Sequence, residues 1–348
     1  MKKIVLLAVS VFSQFVFVKC SAENNTSNYI NLDTIYIATW NVENLFDTID
    51  DPNTNDEEYT PGGERNWDEE RLNQKLKNLS KTIKYMNNGK GPDLLAVQEV
   101  EHQSLLEKLN TEYLSEKKYG IIYGESLDKR GIDNGLFYNS SLFEKISFDT
   151  LRVDLPDGWL TRYILYAQLR LKGTDNILHV FVNHWPSRTG GKEKSEKNRI
   201  AAANVLKNFT GQIFSENKKS NVIIMGDFND EPTDTSVYEV LKAEELFCTG
   251  TNNGLLYNTS ITAFKNGTGS YFYRGTWNML DQIIISKALV EENKFNYVCN
   301  SFEIVKPDFM INKEGNYAGS SIRTFGGKQY IGGYSDHFPA AAKLTYVK

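Results

Sequence analysis

A chain of 348 residues, 40% hydrophobic and 24% charged, has the composition of a globular protein with a sizeable core and excludes a disordered or fibrous class. Its formal net charge of −5 argues against a broad basic face as the means of holding nucleic acid, because neutralised phosphates supply most non-specific affinity there.

In chain order, residues 1–22 ("MKKIVLLAVSVFSQFVFVKCSA") set Lys2 and Lys3 before an apolar run that closes on Cys20, Ser21 and Ala22. This is the pattern of a secretory signal peptide, too short and wrongly flanked for a spanning helix. Lys19 directly before Cys20 disfavours acylation, so cleavage near Ala22 is expected in preference to a lipid anchor, giving an exported protein, periplasmic or extracellular. Cleavage removes Lys2, Lys3 and Lys19 and no acid, taking the formal charge from −5 to −8. A short tail over 23–30 then leads into a single domain over 31–348, within which no repeat or linker-like composition break occurs.

The first strand pattern is "TIYIATW". The acidic loop "DDPNTNDEE" follows, and it fails as a calcium loop because Asp56 stands where glycine is needed and Gly62 where glutamate is needed. "NWDEERLNQKLKNLSKTIKYM" predicts a helix with Leu72, Leu76, Leu79, Ile83 and Met86 on one stripe, Asn66 as N-cap and Glu69 three residues on. Strands are predicted at "DLLAVQ", "NGLFYN", "LYAQLRL", "NILHVFVN", "NVIIMG", "DQIIIS" and "AKLTYV". "EKNRIAAANVLKNF" and "DTSVYEVLKA" read as helices, and "SRTGGKEKSEKNR" as a basic linker or substrate contact. Cys248 and Cys299 form either one disulfide or two free buried thiols. The fold class expected is α/β (α+β): a four-layer sandwich of two packed, mostly antiparallel β-sheets flanked by helices.

Several apolar runs end in oxygen ligands. "IYIATW" runs into Asn41 and Glu43, "LLAVQ" into Glu99, "LHVFV" into Asn183 and His184, and "VIIMG" into Asp227 and Asn229. Asp281 opens "DQIIIS", while Asp336 and His337 precede the last strand. The end of one strand and the start of its antiparallel neighbour share an edge, so these groups are expected on one rim. Carboxylates and amide oxygens are magnesium or manganese ligands, whereas no cysteine cluster or histidine pair has zinc spacing. With two histidines beside them, they point to hydrolysis of a phosphate ester by water.

"TWNVENL", "AVQEVE", "NHWPSR", "GDFND", "LDQIIIS" and "YSDHFP", in that order from Asn41 to Pro339, resemble the endonuclease/exonuclease/phosphatase superfamily, the deoxyribonuclease I-like proteins. The resemblance implies Glu99 as principal ligand of Mg2+ or Mn2+, with Asn41 supporting metal and phosphate. It places Glu43 near a second metal position and Asp336 on the metal side. It also implies Asp227 and Asn229 orienting the attacking water, His337 polarising the phosphate, Asp281 orienting His337, and His184 near the leaving oxygen. Arg162 is expected to grip the phosphate and Asp133 to support His184. Trp277 is expected to pack near Asp281, and His102 and His179 to have no role. The expected activity is that of a secreted monomeric phosphodiesterase acting on nucleic acid. The alternatives are an enzyme acting on lipid head groups or inositol phosphates, and an inactive binding module.

Overall fold

The computed structural model describes residues 33–249, 251–291 and 294–347. The leader and tail expected over 1–30 lie outside these residues. The chain first lays down β1 (Asp33–Leu45), β2 (Leu94–Val100), β3 (Tyr119–Gly124) and β4 (Asp133–Asn139). Then come β5 (Phe143–Leu151), β6 (Ile164–Leu171), β7 (Ile177–His184) and β8 (Asn221–Asp227). Short strands β9 (Ala243–Glu245) and β10 (Leu256–Asn258) precede a hairpin of β11 (Tyr271–Tyr273) and β12 (Thr276–Asn278). After these follow β13 (Asp281–Ser286), β14 (Phe295–Tyr297), β15 (Glu303–Ile304), the small pair β16 (Phe325–Gly326) and β17 (Gln329–Tyr330), and β18 (Ala340–Tyr346). One seven-stranded sheet runs β14-β18-β1-β2-β4-β3, with β15 also on β18, and the other runs β5-β6-β7-β8-β13-β10-β9.

Alternation along the central strands explains the layering, since successive side chains of a strand point to opposite faces. Ile35 and Ile37 of β1 meet Ile223 and Met225 of β8 in the core between the sheets. Tyr36, Ala38 and Trp40 face the other way, against Leu72, Leu76, Leu79 and Ile83 of helix α1 (Glu69–Tyr85). A short helix α2 (Gln103–Lys108) packs Leu105 and Leu106 into the same layer. On the far side, Val222 and Ile224 of β8 pack on Ala202, Leu206 and Ile213 of helix α3 (Lys192–Glu216). The result is the expected four-layer sandwich, in which each fully buried Leu or Ile contributes about 1.5–3 kcal/mol.

Most neighbouring strands are antiparallel, but β1 pairs with β2 and β7 with β8 in parallel. A parallel pair needs a crossover, and α1 and α3 lie in those two connections. The C-terminal ends of β1, β2, β7 and β8 therefore all leave toward one rim. Antiparallel neighbours enter there: Asp281 at the start of β13 is opposite Asp227 at the end of β8, and Ala340 at the start of β18 is opposite Thr39.

Three local expectations are corrected. The N-cap of α1 is Asp68, whose carboxylate accepts from the Arg71 N–H at 3.0 Å; Asn66, at φ 45°, belongs to the preceding turn. The basic stretch after His184 is helical from Lys192 onward, and Arg199 at its end is fully buried against Asp230 at 2.6 Å. "DTSVYEVLKA" forms only one wide turn over Ser236–Val240. Cys248 and Cys299 are joined as a disulfide across a sequence separation of 51. No described helix is long and apolar enough to cross a membrane.

Candidate active site

The rim opens into a cleft of about 350 Å³. Of the expected groups, Asn41, Glu99, His184, Asp227, Asn229, Asp336 and His337 all line it. Local backbone explains how strand ends aim side chains there. Glu43, Asn44, Glu99 and Asn229 adopt φ of 55°, 48°, 66° and 51°, and the registers of β1 and β2 shift at Asn41–Leu45 and Gln98–Val100. Such bulges bend a strand and re-aim its last side chains.

Asp227 is the hub. Its Oδ2 accepts from Asn41 Nδ2 at 3.0 Å and lies 3.7 Å from His184 Nε2 and 3.9 Å from His337 Nε2. Its Oδ1 accepts from the Asn229 N–H at 2.9 Å. Burial, reinforced by the charge of Asp281, pushes the Asp227 carboxyl up to about 6 against the charge of His337.

The two histidines are electrostatic opposites. His184 is buried, and burial together with the charges of Arg162 and Arg130 holds it well below the ordinary imidazole range, so it is neutral. For His337, burial works in the same direction, but the charge and hydrogen bond of Asp281, with Asp227 and Asp336 beyond, push it up to about 10. The Asp281–His337 bond is 2.6 Å long, from Nδ1 to a fully buried carboxylate. His337 carries a proton on Nε2 in this state, aimed at the cleft. Tyr271, of the β11–β12 hairpin, stacks on the His337 ring at 4.6 Å.

Glu99 accepts from the Asn44 N–H through Oε2 at 2.9 Å, and its Oε1 sits 3.8 Å from His184. Asn41 Oδ1 accepts from the Glu43 N–H at 3.0 Å, which fixes the amide's orientation. Besides Asp281, which sits behind His337, three expected groups lie outside the cleft lining. Glu43 is buried with its carboxylate on the Thr324 N–H at 2.6 Å and Lys75 at 3.8 Å. Burial and the charge of Asp336 push it up to about 7. Arg162 is buried, donating to Asp128 at 3.0 Å and the Trp185 carbonyl at 2.7 Å. Asp133 accepts from Tyr123 OH at 3.1 Å and makes no hydrogen bond to His184, whose Nδ1 is unpartnered among the described residues.

Arg130, Tyr271 and Tyr273 line the cleft without having been singled out, and Arg188 does so from the stretch read as a basic linker or substrate contact. Arg130 stands three residues ahead of Asp133, where the chain enters β4 at the rim, and that position carried a signal. Nothing in the sequence marked the hairpin tyrosines.

Hard oxygen donors at one mouth, a neutral and a cationic imidazole, and a carboxylate between them define a class: hydrolases of phosphate esters assisted by a divalent cation. A model of the Endonuclease/Exonuclease/phosphatase family matches residues 36–346, and the chain belongs to that family. Three solved structures illustrate the likeness. The human Nocturnin catalytic domain with bound sulfate anion is 19% identical, with 91% of this chain and 97% of that chain covered at a TM-score of 0.55. The mannosyl-6-phosphatase of Bacteroides thetaiotaomicron VPI-5482 is 16% identical, with 89% and 99% covered at 0.56. D. rerio TDP2 complexed with single strand DNA product is 16% identical, with 89% and 98% covered at 0.55. At these identities the likeness is one of fold. No curated protein matches the chain.

Proposed function

We propose that the protein is an exported, Mg2+- or Mn2+-dependent phosphodiesterase, with nucleic acid as its substrate. The observation that carries the reading is the placing of one carboxylate, Asp227, within reach of Asn41 and of two imidazoles of opposite charge state. Glu99, Asp336 and the Asn41 amide oxygen form a donor set suited to a hard divalent cation. Bound there, the ion would neutralise charge on the phosphoryl oxygens.

The chain's own groups supply the rest. Asp227, ionised above about 6, takes the proton of the attacking water, whose oxygen forms the new bond to phosphorus. Asn229, with its amide tied to the Trp185 carbonyl at 3.0 Å, lines the cleft beside that carboxylate. Imidazolium His337 donates Nε2–H to a phosphoryl oxygen and stabilises the pentacovalent charge, while Asp281 holds its ring and its proton. On this reading the departing oxygen leaves with the bonding pair beside neutral His184 and takes its proton from solvent water.

Nucleic acid is favoured by the aromatic wall. Tyr273, 50% exposed, stacks 6.2 Å beyond Tyr271 and offers a face to a base or sugar ring. A second reading, a small phosphate monoester or head group, is favoured by the shortage of free cations. Arg188 is spent on the Asn229 carbonyl at 2.7 Å and Asn278 at 3.0 Å, while Arg162 and the cleft-lining Arg130 share Asp128 at 3.0 and 3.4 Å. Export rests on the leader pattern of residues 1–22 and on the Cys248–Cys299 bond, a feature of oxidising compartments.

Purified protein with Mg2+ or Mn2+ should hydrolyse plasmid DNA, single-stranded DNA or RNA and a chromogenic phosphodiester. Hydrolysis of sugar or inositol phosphates alone would establish the second reading. Hydrolysis of none would refute both.

A further inference from the structure

Away from the cleft, the turns that follow β1 and β2 bring together Asp47, Glu101 and His102, one ligand atom from each lying within 4.8 Å of the others. Three points so spaced fit a sphere of radius about 2.8 Å or less, close to the 2.0–2.2 Å of carboxylate and imidazole bonds to zinc. Carboxylates gather on many surfaces without a ligand, but this group has a buried side. Glu101 is 2% exposed. Its Oε2 takes the Asp47 N–H at 2.7 Å, and its Oε1 has no hydrogen-bond partner.

A third carboxylate lies beside Glu101. Asp56, 1% exposed, comes from the acidic loop that failed the calcium-loop pattern. Its Oδ2 accepts from the Asp51 N–H at 3.0 Å, and its Oδ1 is likewise buried without a partner. It lies near enough to Glu101 for the two carboxyls to interact directly. No lysine or arginine forms an ion pair with Asp47, Asp56 or Glu101 among the described residues. Buried carboxylates normally persist only when paired or when they coordinate a metal.

We infer that Asp47, Glu101 and His102, with Asp56 set against Glu101, form a second cation site, separate from the catalytic one and built for a divalent transition ion such as Zn2+ or Mn2+. Two carboxylates with one imidazole suit those ions better than Ca2+, which takes oxygen ligands. The ion would tie the loop after β1 to the exit of β2, and so brace the backbone that carries Glu99 two positions before Glu101. It is a structural centre and does not depend on which phosphate ester the cleft hydrolyses.

The test uses the full mature chain, stripped with chelator and titrated with Zn2+ and with Mn2+. Bound metal is counted by elemental analysis and the Tm is followed in parallel. Four proteins are compared: wild type, Glu99→Gln, Glu101→Gln and His102→Ala. Expected is a metal-dependent rise in Tm that survives Glu99→Gln, with affinity falling about tenfold or more in Glu101→Gln and His102→Ala. His102 is half-buried on a turn, so its variant folds even where Glu101→Gln does not. If Glu99→Gln alone abolished all binding, or if His102→Ala bound metal as wild type does, the second site would be overturned. The same holds if Glu101→Gln stabilised the metal-free protein and left metal binding unchanged, because the two carboxyls would then simply share a proton.

Discussion

Replacing Asp281 by Asn separates charge from geometry in the group that polarises the phosphate. The amide oxygen can still accept from His337 Nδ1, while the negative charge is gone. Asp281 is the main reason the imidazole rises from 6.5 to about 10 in spite of burial. At ~1.4 kcal/mol per tenfold change in the protonation constant, that rise corresponds to ~5 kcal/mol in favour of the imidazolium. Without it, burial leaves His337 neutral at pH 7.5, and kcat should fall ~10²–10⁴-fold, the range of positioned acid–base groups. The assay is kcat/KM against pH with Mg2+ present. Wild type should give a bell, its acid limb near the value of about 6 for Asp227 and its alkaline limb near about 10 for His337. In Asp281→Asn the alkaline limb moves below 6.5, the ordinary imidazole value, and the bell collapses. Stability follows the same linkage. A pKa raised on folding stabilises fully below the unfolded value of 6.5 and loses that contribution as pH rises to about 10. Urea melts should show this loss in wild type and not in Asp281→Asn. A variant retaining more than about a tenth of wild-type kcat/KM, with its alkaline limb unmoved, would refute the reasoning.

Glu99→Gln should lower turnover by ~10²–10³-fold with little change in Tm, because the side chain is partly exposed and its single hydrogen bond, from the Asn44 N–H, has an oxygen to receive it. Arg162→Met leaves Oδ2 of buried Asp128 without its donor while Arg130 still holds Oδ1, and should destabilise the fold by ~1–3 kcal/mol, read by urea melts. Arg130→Ala, at the cleft surface, should instead raise KM with stability nearly unchanged. Reducing Cys248–Cys299, which spans 51 residues, should cost about 4 kcal/mol on a chain-entropy basis, measured as a drop in urea midpoint.

Much of the cleft was legible because its residues sit where periodicity breaks. An alternating strand that ends in Asn41, Glu99, His184 or Asp227 declares both its layer and its rim. The parallel pairing of β1 with β2 and of β7 with β8 was not legible, since alternation states which face is buried and not which strand is the neighbour. Arg162 misled for a related reason. An arginine just before a strand gives no sign of whether it reaches outward or inward, and here buried Asp128, 34 positions earlier, decides it. The position of Asp133 was legible, at the start of β4, but its partner was not: Tyr123 on β3 supplies the hydrogen bond expected to involve His184. The N-cap of α1 moved from Asn66 to Asp68 because two capping residue types stood within one turn, and only backbone geometry separates them.

Asn41 belongs to one sheet and Asp227 to the other, so their 3.0 Å bond crosses the seam between the two halves of the sandwich. Turnover is thereby made a gauge of how the halves are aligned. A methyl removed from the dry interior midway between them, remote from any phosphate, would let the leaves slide by fractions of an ångström, and chemistry would falter well before the protein melted.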